Sequence, residues 1–180
     1  MRYIIFAVLL MLAAPLRADP LVAAGQPGAV LLMRHAIAPG GGDPEGFVLG
    51  DCSTQRNLSD EGRAQARAIG AQLRAAGLRF DAVLTSEWCR TTETAVLLDL
   101  GPVTPFAPVN SFFDNRQNGP RQTAETLAYL ATLPPDARVL IVTHQVNITA
   151  LTGVTPRSGE TVVTRRDGDR LSVEGRLPPP

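Results

Sequence analysis

Ala29-Val30-Leu31-Leu32-Met33 runs straight into Arg34-His35, and Val139-Leu140-Ile141-Val142 runs into Thr143-His144. These are the only two histidines of the chain, and each follows an apolar run of the same shape. Short runs rich in branched side chains that stop at a polar tip read as buried parallel strands. In open α/β sheets, ligands sit just beyond the carboxyl ends of such strands. If the two strands are neighbours, both imidazoles meet in one crevice. A third run, Ala82-Val83-Leu84, ends at Thr85-Ser86 and is followed by Arg90. A pocket holding two histidines and at least two arginines suits phosphoryl chemistry.

The chain has 180 residues and a 44% apolar share, which suits one domain with its own core. Net charge is zero, so nothing points to nucleic acid or an anionic membrane surface as partner. All 17 basic residues are arginine. The absence of lysine excludes a GxxxxGK phosphate loop, Schiff-base chemistry and a lysine general base.

Arg2 followed by the apolar stretch Ile4 to Ala14 reads as an export signal, because the stretch is too short to span a bilayer. Pro15 breaks it and Ala18 offers a cleavage point, which gives a signal peptide over 1–18 and a domain over 19–180. An uncleaved anchor is the alternative. After cleavage the domain is expected in the periplasm, with no stable membrane insertion. Cys52 and Cys89 are an even count suited to an oxidising space and are expected to form a disulfide, with two free thiols as the alternative. Neither cysteine has metal-site spacing, so no metal is expected. Neither opens a C-x5-R loop, which disfavours a cysteine-based phosphatase.

Along the domain, strands are expected at Ala29 to Arg34, Phe80 to Thr85 and Arg138 to Val142, with a proline-broken edge over Pro102 to Val109. Ser59 caps a helix that Gly77 closes; further helices are expected over Trp88 to Leu98, Gln122 to Leu133 and Val146 to Leu151. Pro20 to Gly28 reads as a lead-in, Pro39 to Gly46 as a lid or a plain connector, and Ser111 to Gly119 as a polar loop. Two short strands around Asp167-Gly168 suggest a terminal hairpin. The alternation implies an α/β fold, a three-layer α/β/α sandwich with a mostly parallel central sheet.

Arg34-His35, Leu58-Ser59-x-x-Gly62-Arg63-x-Gln65-Ala66, Ser86-x-x-x-Arg90-Thr91-x-x-Thr94-Ala95 and Thr143-His144 occur in that order. This series resembles the histidine phosphatase superfamily, which includes phosphoglycerate mutases, fructose bisphosphatases and phosphohistidine phosphatases. The signal, the two cysteines and Gln145 to Gly153 look most like exported bacterial members, among them lipopolysaccharide core heptose-phosphate phosphatases. The resemblance implies that His35 is the nucleophile and that Arg34, Arg90 and His144 hold the phosphoryl oxygens. Arg56 is a further clamp or a surface arginine. Asp114 lies where the superfamily commonly supplies its acid; Glu87 and Asp43 are alternatives.

Ala36 stands where most relatives have glycine, and Ile37-Ala38-Pro39 replaces the acidic residue and asparagine of the mutases, which argues against mutase activity. The expectation is an exported, cofactor-independent phosphomonoesterase acting through a phosphohistidine. Its expected partner is a small phosphorylated substrate such as a sugar phosphate or an envelope glycan. A non-catalytic phosphate-ligand binder of the same fold is the alternative.

Overall fold

The computed structural model describes residues 19–180; the export-signal reading over 1–18 lies outside the described residues. Four parallel strands, β1 (Ala29–Arg34), β2 (Ala82–Thr85), β3 (Val103–Pro105) and β4 (Val139–Thr143), join a hairpin of β5 (Thr161–Asp167) and β6 (Arg170–Leu177). They form one six-stranded sheet in the order β3-β2-β4-β1-β5-β6, antiparallel only where the hairpin attaches. The helices are α1 (Pro20–Ala24), α2 (Asp60–Ala75), α3 (Cys89–Leu98), α4 (Gly119–Thr132) and α5 (Gln145–Thr152).

The pleat sends alternate residues of each strand to opposite faces. Ala29, Leu31 and Met33 of β1 pack with Leu140, Val142 and Val83 beneath α1, α2 and α3, through Ala23, Ile69, Leu73, Ala95 and Leu98. Val30 and Leu32 face the other way, with Val139, Ile141 and Leu84, against Leu130 of α4 and Ile148 of α5. Both faces of the central strands are therefore covered, which is why their sequences are continuously apolar rather than alternating. The result is the α/β/α sandwich expected from the sequence.

Several boundaries move for local reasons. The lead-in contains α1, because the Asp19 carboxylate accepts from the Leu21 amide at 2.8 Å and Ala23 and Ala24 are buried against the sheet. α4 begins at Gly119 rather than Gln122, with Pro120 in its first turn, where a missing N–H costs nothing. Of the edge expected over Pro102 to Val109, only Val103–Pro105 pairs, and Ala107–Val109 coil into a single 3-10 turn. The hairpin extends well beyond its apolar centre on both strands. Among the described residues no helix is long and apolar enough to cross a membrane.

Candidate active site

Register brings the two histidines together. Arg34 of β1 lies opposite Thr143 of β4, so His35 and His144 leave the sheet side by side at its carboxyl edge. Their ring centroids are 5.6 Å apart at an edge-on angle of 67°. On the other side of β4, Thr85 pairs with Val142, which sets Ser86 level with the same edge.

The His35 segment is held by its backbone. Its amide donates to the Thr143 carbonyl at 2.9 Å. The Ala36 amide donates to Thr94 Oγ1 at 3.1 Å, and the Ile37 amide to Gln65 Oε1 at 3.1 Å. The start of α2 presses on the Ile37 backbone so closely that a Cβ at Gly62 would lie 2.0 Å from the Ile37 carbonyl oxygen. Gly62, Gln65 and Thr94 thus serve to hold the loop that carries His35.

His35 Nδ1 lies 2.8 Å from the Ala36 carbonyl oxygen. A carbonyl can only accept, so Nδ1 carries the proton and Nε2 keeps its lone pair. Burial, with the nearby charges of Arg90, Arg34 and Arg56, pushes the imidazole down to about 3 against the opposing pull of the Ala36 hydrogen bond. The ring is therefore neutral at physiological pH. His144 is held well below its ordinary value by burial first, then by His35 and the same three arginines. Ser86 Oγ lies 2.8 Å from His144 Nε2 and accepts the Trp88 amide at 3.3 Å. Ser86 therefore orients the second histidine, a role that a serine after a strand does not announce in sequence.

A pocket of about 100 Å³ is lined by Arg34, His35, Arg56, Arg90 and His144, closed on one side by Gly40, Gly41, Gly42 and Asp43. Arg56 is thus a pocket residue rather than a surface one. Its Nε donates to the Gly42 carbonyl at 2.7 Å and its Nη1 to that of Ala38. The disulfide between Cys52 and Cys89 ties the turn before Arg56 to the helix that opens beside Arg90. Gln55 reinforces it, accepting the Cys89 amide at 2.9 Å.

The three carboxylates considered as proton donor separate sharply. Asp43 lines the pocket, but the hydrogen bonds and charge of Arg90, with Trp88 and the Arg56 amide, outweigh its burial and hold it below its ordinary value, so it is ionised. Glu87 is outside the pocket lining and accepts from Asn110 Nδ2 at 2.6 Å. Asp114 is exposed on the loop whose Ser111 and Phe113 line the pocket, and is itself outside the lining. Of the two rings before it, Phe112 is buried and Phe113 is 45% exposed. No group of three or more histidine, cysteine or acidic side chains able to hold a metal occurs among the described residues.

The fold and pocket define a class: an α/β/α domain whose sheet edge carries a paired-histidine, arginine-lined pocket. Residues 30–107, which carry Arg34, His35, Arg56 and Arg90, match the family described as the histidine phosphatase superfamily (branch 1). The matched stretch runs from β1 to just past β3, under half of the chain. A structure of the protein histidine phosphatase SixA complexed with tungstate aligns at TM-score 0.62 and 18% identity, over 84% of this chain and 97% of that one. A phosphoserine phosphatase in complex with 3-phosphoglyceric acid, from Entamoeba histolytica, aligns at TM-score 0.59 and 12% identity, over 82% and 95% of the two chains. Bacillus stearothermophilus YhfR aligns at TM-score 0.58 and 19% identity, over 81% and 94%. At these identities the likeness is one of fold. No curated protein matches the chain.

Proposed function

We propose that this protein is an exported phosphatase that hydrolyses phosphomonoesters through a phosphohistidine at His35. The observation that carries the reading is the state of His35. It is a neutral imidazole with Nδ1–H committed to a carbonyl and Nε2 free, beside three arginines. Such a nitrogen attacks phosphorus without a general base. Arg34, Arg56 and Arg90 offset the phosphoryl charge that repels a nucleophile, and His144, held by Ser86, contacts an equatorial oxygen.

Nε2 forms the N–P bond as the ester P–O bond breaks in line. The leaving oxygen takes a proton from Asp114, which requires its loop to bring the carboxyl over the pocket from the exposed position seen here. Water then attacks phosphorus as it gives a proton back to the Asp114 carboxylate, the N–P bond breaks with His35 leaving as the neutral imidazole, and phosphate departs. Export over 1–18 into the periplasm agrees with the Cys52–Cys89 disulfide, a bond typical of oxidising compartments. The substrate is a small phosphorylated molecule, with sugar phosphates and envelope glycans as the classes to screen.

Turnover separates this reading from a phosphate-ligand binder. Purified protein is expected to release p-nitrophenol from p-nitrophenyl phosphate without added metal. Tight binding of phosphate with no release of product would support the binder instead.

A further inference from the structure

The glycine-rich segment Pro39 to Gly46 delivers one charged side chain, Asp43, into the pocket, and its partner there is Arg90. The pair is buried, with Arg90 2% and Asp43 7% exposed at the side chain. Asp43 Oδ1 accepts from Arg90 Nη1 at 2.6 Å and Oδ2 from Nη2 at 3.0 Å, an end-on, two-pronged pairing. Trp88 Nε1 donates to Oδ2 at 3.0 Å, and the Arg56 amide to Oδ1 at 3.4 Å. Asp43 is thus itself fixed, by an indole that stacks on Phe47 at 5.1 Å.

A guanidinium has five N–H groups in a rigid plane. The end of the Arg90 plane is filled by Asp43, and Nη1 also donates to the Arg56 carbonyl at 3.3 Å. One edge remains, formed by Nε–H and the outer N–H of Nη2. Arg90 Nε is buried without a partner, and so is Nε of Arg34, whose Nη1 donates to the Pro156 carbonyl at 3.1 Å. A buried, unpaired donor is destabilising unless something binds it. Each arginine therefore has its far side tied to protein while its Nε lacks an acceptor, in a pocket both share with His35. Asp43 does not use the edge that an oxyanion would take.

We propose that Asp43 is a positioning residue, which pins Arg90 end-on so that its Nε–Nη2 edge is the one presented to the phosphoryl group. It is neither the proton donor nor a latch that fills the anion site. The pairing also leaves three arginines and one carboxylate around two neutral imidazoles, a net charge of two against the two negative charges of a phosphomonoester. The inference rests on the phosphoryl reading of the pocket.

Tungstate binding by calorimetry and turnover of p-nitrophenyl phosphate test it, on wild type, Asp43→Asn, Arg90→Ala and the double variant. Asp43→Asn is expected to weaken tungstate at least tenfold and to lower kcat/KM by a similar factor. In the Arg90→Ala background the same change is expected to have less than a twofold effect, because Asp43 acts only through Arg90. Trp88→Phe keeps the stacking on Phe47 but frees Asp43, and is expected to weaken tungstate two- to fivefold, which serves if Asp43→Asn does not fold. Tighter tungstate binding in Asp43→Asn would identify a latch and overturn the proposal. Equal losses with and without Arg90 would also overturn it, as would unchanged binding in Asp43→Asn or, should that variant not fold, in Trp88→Phe. Failure of the wild type to bind tungstate would overturn the phosphoryl reading itself, and this inference with it.

Discussion

Replacing Cys52 and Cys89 by serine tests whether the bridge supports both the fold and the anion site. The bond closes a loop with a sequence separation of 37. In the chain-entropy model a loop of that size stabilises the folded state by about 4 kcal/mol at 25 °C. For a domain of this size, each kcal/mol corresponds to about 2–4 °C in Tm, so the double serine variant is expected to melt about 8–16 °C lower. The loss is not only global. Arg56 follows the turn that Cys52 opens, Arg90 follows Cys89, and Gln55 bonds the Cys89 amide between them. Freed of the bridge, two of the three arginines lose their common anchor, and KM for p-nitrophenyl phosphate is expected to rise more than kcat falls. Differential scanning fluorimetry of the variant, and of wild type with and without dithiothreitol, reads the first effect; steady-state kinetics at a temperature well below both melts reads the second. An unchanged melting temperature, or two reactive thiols on denatured, unreduced wild type, would refute the reasoning. An unchanged KM in the destabilised variant would confine the bridge to stability.

Three further outcomes are expected. His35→Asn should fold yet lose essentially all turnover, and rapid quench of the wild type with labelled substrate should trap an acid-labile, base-stable phosphoenzyme; a label on Ser86 would end the phosphohistidine reading. Asp114→Asn should slow alkyl phosphates on the order of a hundredfold and p-nitrophenyl phosphate far less, because a phenolate leaves without a proton; equal losses on both would mean a structural role for Asp114. Folded His35 is depressed from 6.5 to about 3, so below pH 6.5 the unfolded chain binds a proton that the native state refuses, and stability falls as pH falls through that window. At about 1.4 kcal/mol per pH unit, His35 alone should account for about 2 kcal/mol of the loss between pH 7.5 and 5, so urea melts of His35→Asn should show a correspondingly smaller gap.

The core of this reading was legible in the residues because it depends on local pattern. Unbroken apolar runs with polar tips mark buried parallel strands, and each tip sits at the sheet's carboxyl edge wherever the strand lies in the order. Arg34, His35 and His144 follow from that alone, Arg90 follows in the first turn of α3 after the β2 tip, and each lines the pocket. Residues delivered by loops were harder to place. Arg56 and Asp43 come from irregular segments whose paths depend on partners distant in sequence, such as Trp88 for Asp43 and the Gly42 carbonyl for Arg56. Asp114 belongs to a loop that reaches the pocket through Ser111 and Phe113 but is itself exposed, because Phe112 turns into the protein and leaves its neighbours outside.

By itself, then, the sequence determined the layered α/β class, the strands that bear the histidines, and the arginine and histidine types that line the pocket. Periodicity and the strand tips are properties of the chain read in order. Only the tertiary structure decided that β4 lies beside β1, so that the two imidazoles meet. It alone decided that the Ala36 carbonyl takes the Nδ1 proton of His35. It also decided that the charge of Asp43 is paired with Arg90. Register, tautomer and the partner of a buried charge are set by groups brought together from distant positions, and no local pattern records them.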